Sequence, residues 1–149
     1  MSVRRGPRVL VSRRDRSIRI SDARIREAVL HVLGRERSRG TIAVAVVGDG
    51  VMRRLHRDFL GIDSPTDVLT FPIEGPGSFL GEVVACAGVA RREARARGTS
   101  ARDELLLYVV HGSLHLLGYD DATSGAFARM HRREARLLSE IGAAARVGV

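Results

Sequence analysis

His111 and His115 stand four residues apart within the mainly apolar stretch 105–117. In a helix, positions i and i+4 share one face, so both imidazoles can reach a single point. Gly118 follows where a left-handed residue would end such a helix, and Asp121 comes three residues later. A chain that turns back at Gly118 carries the Asp121 carboxylate toward the two rings. Two imidazoles and a carboxylate form a metal-ligand set, and on a tetrahedral zinc ion they leave one position open, as catalytic rather than structural sites do. An H-x-x-x-H pair alone is a weak signal, because histidines on an apolar helix are commonly core residues. The cap glycine and the carboxylate beyond it set this pair apart.

As ligands, His111 and His115 would be neutral, and each would need an acceptor for its remaining ring proton. The pattern does not identify those acceptors. For proton transfer the candidates are Glu82, Asp67 and Asp120, of which Asp67 suits a loop-organising role and Asp120 a turn cap. His31, His56 and His131 lie among arginines in predicted helices and read as surface or boundary residues.

These side chains need a scaffold, and the pattern predicts one domain over residues 1–149. A chain of this length buries roughly two-thirds of its unfolded surface. Its 44% hydrophobic and 28% charged residues are ordinary for a globular protein. No unbroken apolar run, 105–110 included, exceeds six residues, far too short to span a bilayer. The run at 9–11 is too short for a signal-peptide core, so the expected location is the cytoplasm. Cys86 is the single cysteine, which excludes an internal disulfide and a cysteine-based zinc site and leaves it the role of a small buried hydrophobe. The net charge of +8 and pI near 11.3 suit a polyanionic partner such as RNA. All of the basic residues are arginine, paired at Arg4-Arg5, Arg13-Arg14, Arg53-Arg54, Arg91-Arg92 and Arg132-Arg133. Each pair equally suits a solvated face.

Residues 9–12 and 17–20 read as short strand segments or an irregular strand pair. Ser21 or Asp22 opens a helix to about residue 37, with Ile25, Val29, Leu30 and Leu33 inward. Residues 41–47 form a β-branched buried strand. Asp49 can cap a helix whose inner face carries Val51, Met52, Leu55 and Phe59. A loop at 61–67 leads to a strand at 68–73, which Pro72 marks as an edge or an end. After a turn at 74–78 come a strand at 79–87 and a short basic helix at 88–97. Ser100 and Asp103 resemble a capping box opening the histidine helix. A last amphipathic helix spans about 125–141, its apolar contacts Phe127, Met130, Leu137, Leu138 and Ile141. The fold class is α+β, a small mixed β-sheet packed against helices, with a zincin-like metal-binding helix.

Two stretches carry a family resemblance. The first is Pro65-Thr66-Asp67-Val68-Leu69-Thr70-Phe71-Pro72 with Leu80-Gly81-Glu82 after it, and the second runs from His111 to Asp121. Together they resemble the P-T-D-V-L-S-F-P, L-G-D/E and H-G-x-L-H-L-x-G-Y-D-H segments of the YbeY family of metal-dependent endoribonucleases, over about residues 41–141. The resemblance implies one Zn2+ ion held by His111, His115 and Asp121. It also implies hydrolytic cleavage of single-stranded RNA in rRNA maturation, at the 16S 3′ end, and in ribosome quality control. The implied partners are ribosomal RNA and the ribosome or small-subunit assembly proteins.

The chain departs from the family pattern twice. Asp121 stands at the third metal histidine; a carboxylate still binds zinc, but its charge should make the ion a weaker Lewis acid. Leu60 replaces an arginine that would hold phosphate in a bidentate grip; Arg57, one turn back, is the candidate substitute. Two other readings compete with the nuclease. A zinc peptidase would need a glutamate directly after the first histidine, where this chain has Gly112. A non-catalytic ribosome-associated factor would use the metal only to pin the helix to its loop, and would hold it with a fourth protein ligand.

Overall fold

The computed structural model of the chain describes residues 6–75 and 77–144. Arg4 and Arg5, and Pro76 of the turn at 74–78, lie outside the described residues. In chain order the elements are β1 (Arg8–Arg13), α1 (Asp22–Arg35), β2 (Thr41–Val47), α2 (Asp49–Leu60), β3 (Val68–Pro72), β4 (Phe79–Cys86), α3 (Ala87–Arg97), α4 (Ala101–Leu116) and α5 (Ser124–Glu140). The strands stand in the order β1-β2-β4-β3, the first three parallel and β3 antiparallel to β4. Pro72 has no N–H to offer a partner strand, and it closes the edge strand β3. This is the mixed-sheet α+β architecture that the hydrophobic pattern predicts.

Strand alternation divides the core between the two faces of the sheet. Val44, Val46, Val83 and Ala85 join the large cluster that includes α1, α4 and α5, while Val47, Val84 and Cys86 pack with Met52 of α2. Helix α4 is buried on every side over residues 104–110, as expected of a helix that is apolar all round. Gly112 lets it approach the sheet closely. A Cβ at this position would lie 2.6 Å from Val83 Cγ1 and 3.2 Å from Thr70 Cγ2. The residue beside His111 therefore fixes the distance between the histidine helix and β3–β4.

Five local expectations need correction. Phe127 of α5 is 45% exposed rather than an inward apolar contact. Residues 17–20 form no strand; the carbonyls of Ile18 and Ile20 accept hydrogen bonds from the Arg13 guanidinium at 3.0 and 2.7 Å, which replaces a strand partner. Gly48, not Asp49, is the N-cap of α2, and the Asp49 carboxylate instead pairs with Arg92 of α3 at 2.7 and 2.9 Å. Phe59 is 64% exposed rather than inward; it meets Phe71 edge-on with ring centroids 4.9 Å apart. His56 is buried, and its Nδ1 lies 2.8 Å from the Ser64 carbonyl oxygen, so it ties α2 to the loop before β3.

Candidate metal centre

Short-range rules build both ends of the histidine helix. Ser100 Oγ accepts the Asp103 N–H at 3.1 Å, and Asp103 and Glu104 place negative charge at the positive end of the helix. At the other end Gly118 adopts φ 101°. Its N–H donates to the His115 carbonyl at 3.1 Å, and the Tyr119 N–H to the Leu114 carbonyl at 3.0 Å. These two bonds are the Schellman pair, which satisfies carbonyls that the helix leaves open and reverses the chain. Thr123, whose Oγ1 accepts the Ala126 N–H at 3.1 Å, then starts α5. The loop between the helices brings Asp121 back to the histidines.

The ligand atoms of His111, His115 and Asp121 all lie within 4.8 Å of one another. The two rings meet edge-on, with His111 Nε2 and His115 Nε2 3.1 Å apart. Each Nδ1 has an acceptor: Glu134 Oε2 of α5 at 2.7 Å for His111, and the Tyr119 carbonyl oxygen at 3.0 Å for His115. Tautomers follow from these partners. With one ring proton assigned to each Nδ1, the two Nε2 atoms present lone pairs to each other, a repulsion that a shared proton or a metal cation relieves. Metal–nitrogen distances of about 2.0–2.1 Å, the range of zinc, with a near-tetrahedral angle put two nitrogens about 3.3 Å apart. The observed spacing matches that requirement, and the donor set fits a divalent metal ion.

The electrostatics agree. Burial pulls the His111 imidazole down, but the hydrogen bond and charge of Glu134, with the Asp67 and Asp121 carboxylates behind them, hold its pKa above the ordinary histidine value. Three carboxylates thus favour positive charge at this ring.

Glu134 is the residue that the sequence reading missed. Its side chain is 7% exposed and stands on the apolar face of α5 with Met130, Leu137 and Leu138. His131 is half-buried beside it, a boundary position as its sequence context suggests, with Nδ1 3.8 Å from Glu134 Oε1. His31 pairs with Glu140 at 2.8 Å, away from the metal cluster. Asp67 Oδ1 accepts the Val68 N–H at 2.7 Å, and Asp120 Oδ1 the Ala122 N–H at 3.1 Å; these are the loop and turn roles their types suggest.

The structure does not bring Glu82 to the histidines. It alternates with Val83 on β4 and lines a groove with Ser12, Arg14 and Leu55 on the α2 side of the sheet. Arg57 is exposed on α2, where its Nε lies 3.4 Å from the neighbouring Asp58 carboxylate. Leu60 is also exposed, at the end of the same helix.

The family model described as Endoribonuclease YbeY matches residues 10–142. The chain belongs to the YbeY family. The match begins well before residue 41, so β1 and α1 are part of the shared fold although they carry none of the motif residues. A relative named Endoribonuclease YbeY from Halorhodospira halophila is 40% identical over 110 residues, 69% of this chain and 71% of that protein. Another of that name, from Chlorobaculum parvum, is 38% identical over 123 residues, covering 82% and 87%. The solution structure of TM1509 from Thermotoga maritima is similar in fold, with a TM-score of 0.63 and 25% identity over 89% of this chain and 90% of that one. Among the described residues no helix is long and apolar enough to cross a membrane.

Proposed function

We propose that this protein is a zinc-dependent endoribonuclease that cleaves single-stranded RNA. It acts in the cytoplasm in rRNA maturation, including the 16S 3′ end, and in ribosome quality control, with ribosomal RNA and the ribosome or small-subunit assembly proteins as partners. The observation that carries the reading is the pair of Nε2 atoms 3.1 Å apart, each ring anchored through Nδ1, with the Asp121 carboxylate beside them. The names of the relatives supply the reaction class.

A bound ion would supply Lewis acidity toward a phosphoryl oxygen and lower the pKa of a coordinated water. His111, His115 and Asp121 would hold it. Glu134 and the Tyr119 carbonyl fix the tautomers and orient the rings, a role that typically makes such residues matter 10–100-fold in metal affinity. The negative charge of Asp121 would reduce the acidity of a water on the ion. In this reading Glu82 and Arg57 take no direct part, because the first faces the opposite side of the sheet and the second is an exposed residue of α2.

The grouping of three ligand side chains among the described residues supports an open fourth position over a purely structural metal. Gly112 opposes a peptidase reading, since a glutamate there would drive into Val83 and Thr70. The test is cleavage of a single-stranded ribosomal RNA precursor fragment by the purified protein with zinc, with a chelator, and by His115→Ala. Cuts that the chelator and the substitution both abolish support the reading. A protein that retains zinc but does not cut the RNA fits the non-catalytic factor instead.

A further inference from the structure

The outer flank of α5 carries Arg129, Arg132, Arg133 and Arg136. Their spacing of i, i+3, i+4 and i+7 sets them on one side of the helix, over about 10 Å of its length. These four and Tyr119 line a groove of about 400 Å³. A second hollow of about 300 Å³, lined by residues 117–120, Ala126 and Arg129, shares Tyr119 and Arg129 with it. The floor is built and the rim is free. Arg133 Nη2 pairs with Glu36 at 3.1 Å, and its Nε is buried with no partner. Arg129, Arg132 and Arg136 are exposed and have no side-chain hydrogen bond or ion pair among the described residues. Asp120 is the one carboxylate that lines either hollow, and its Oδ1 is held by the Ala122 N–H.

This groove is tied to the metal centre by covalent structure. Tyr119 lines both hollows, while its carbonyl anchors His115. Glu134, next to Arg133 on α5, anchors His111. A row of unpaired guanidiniums in a concave surface suits the phosphates of a flexible strand, because each planar fork can grip phosphate oxygens without reading a base.

We infer that the α5 groove is a phosphate-backbone track for single-stranded RNA, in which Arg129, Arg132 and Arg136 hold the strand beside the loop segment 117–120 that leads to Asp121. The inference rests on the endoribonuclease reading, and it assigns these arginines to substrate binding and not to the reaction. They are therefore expected to govern affinity and its salt dependence and to leave the chemical step unchanged.

The test compares the zinc-loaded protein with a triple variant, Arg129→Gln, Arg132→Gln and Arg136→Gln. A control that removes the same charge elsewhere carries Arg39→Gln, Arg95→Gln and Arg102→Gln. Binding of a labelled single-stranded RNA is followed by fluorescence anisotropy across a salt series, and cleavage of the same RNA gives KM and kcat. Losing three phosphate contacts flattens the slope of log K against log salt by about 2, so affinity between 50 and 200 mM salt changes roughly 20-fold less than in the unaltered protein. The expected result is that flattening with a raised KM and unchanged kcat in the α5 variant, and a smaller change in the control. Equal losses in the two variants would reduce the effect to net charge and overturn the track. An α5 variant that binds like the unaltered protein would overturn the track alone. An unaltered protein that binds no RNA would overturn the nuclease reading along with it.

Discussion

Glu134 Oε2 lies 2.7 Å from His111 Nδ1, across the contact between α5 and α4. The buried carboxylate fixes the proton of that ring on Nδ1 and turns Nε2 toward His115. Replacing it with alanine leaves the imidazole free to rotate and to change tautomer. Glu134→Ala is expected to weaken zinc binding by about 10–100-fold, and Glu134→Gln, which keeps a carbonyl acceptor, by less. Competition against a chromogenic chelator measures both, and equal affinity in Glu134→Ala and the unaltered protein would show that the contact does not orient the ligand.

Asp121 is the exposed member of the ligand set and comes from the loop rather than the helix. Asp121→Ala should weaken zinc binding while leaving the two-histidine core, and Asp121→His should restore or strengthen it. Isothermal titration decides this. Undiminished affinity in Asp121→Ala would remove Asp121 from the ligands.

Gly112 sets the spacing between α4 and the sheet. Gly112→Ala puts a Cβ 2.6 Å from Val83 Cγ1, and overpacking of this kind costs about 1–3 kcal/mol. Urea unfolding should show a loss of that size. The companion variant Gly112→Ala with Val83→Ala should recover part of it, and no coupling between the two would mean that the contact is not what limits the helix.

Cys86 is buried beside α2 and α3, and desolvation is the first reason its thiol is pushed up to about 11. Below pH 9 it is almost wholly protonated and shielded. Alkylation by iodoacetamide at pH 8 should be far slower in the folded protein than in urea. Comparable rates would show that this side of the sheet opens readily.

The metal helix was legible because its grammar is local. The i, i+4 pair, the Ser100 cap and the Gly118 stop each follow from a few neighbouring residues, and the structure contains all three. Glu134 was not legible as an anchor, because its partner lies 23 positions earlier and only packing joins them. A signal did exist: a carboxylate among Met130, Leu137 and Leu138 on an apolar face must have a buried partner. His56 follows the same logic, standing one turn after Met52 on the inner face of α2 and bonding a loop carbonyl. Residues 17–20 misled because Ile18 and Ile20 alternate like a strand, whereas an arginine from β1 takes their carbonyls. Phe59 misled because helical spacing says which side of a helix a residue is on, and not where the sheet beneath it ends.

The most direct test is to measure, on the same samples, the zinc retained after exposure to a limiting chelator and the cleavage of a single-stranded ribosomal RNA fragment. The samples are the unaltered protein, His111→Ala, His115→Ala and Asp121→Ala. We predict one zinc per chain in the unaltered protein, and zinc content and cleavage falling together, furthest in the histidine variants. A histidine variant that has lost its zinc and still cuts the RNA at the unaltered rate would contradict the account.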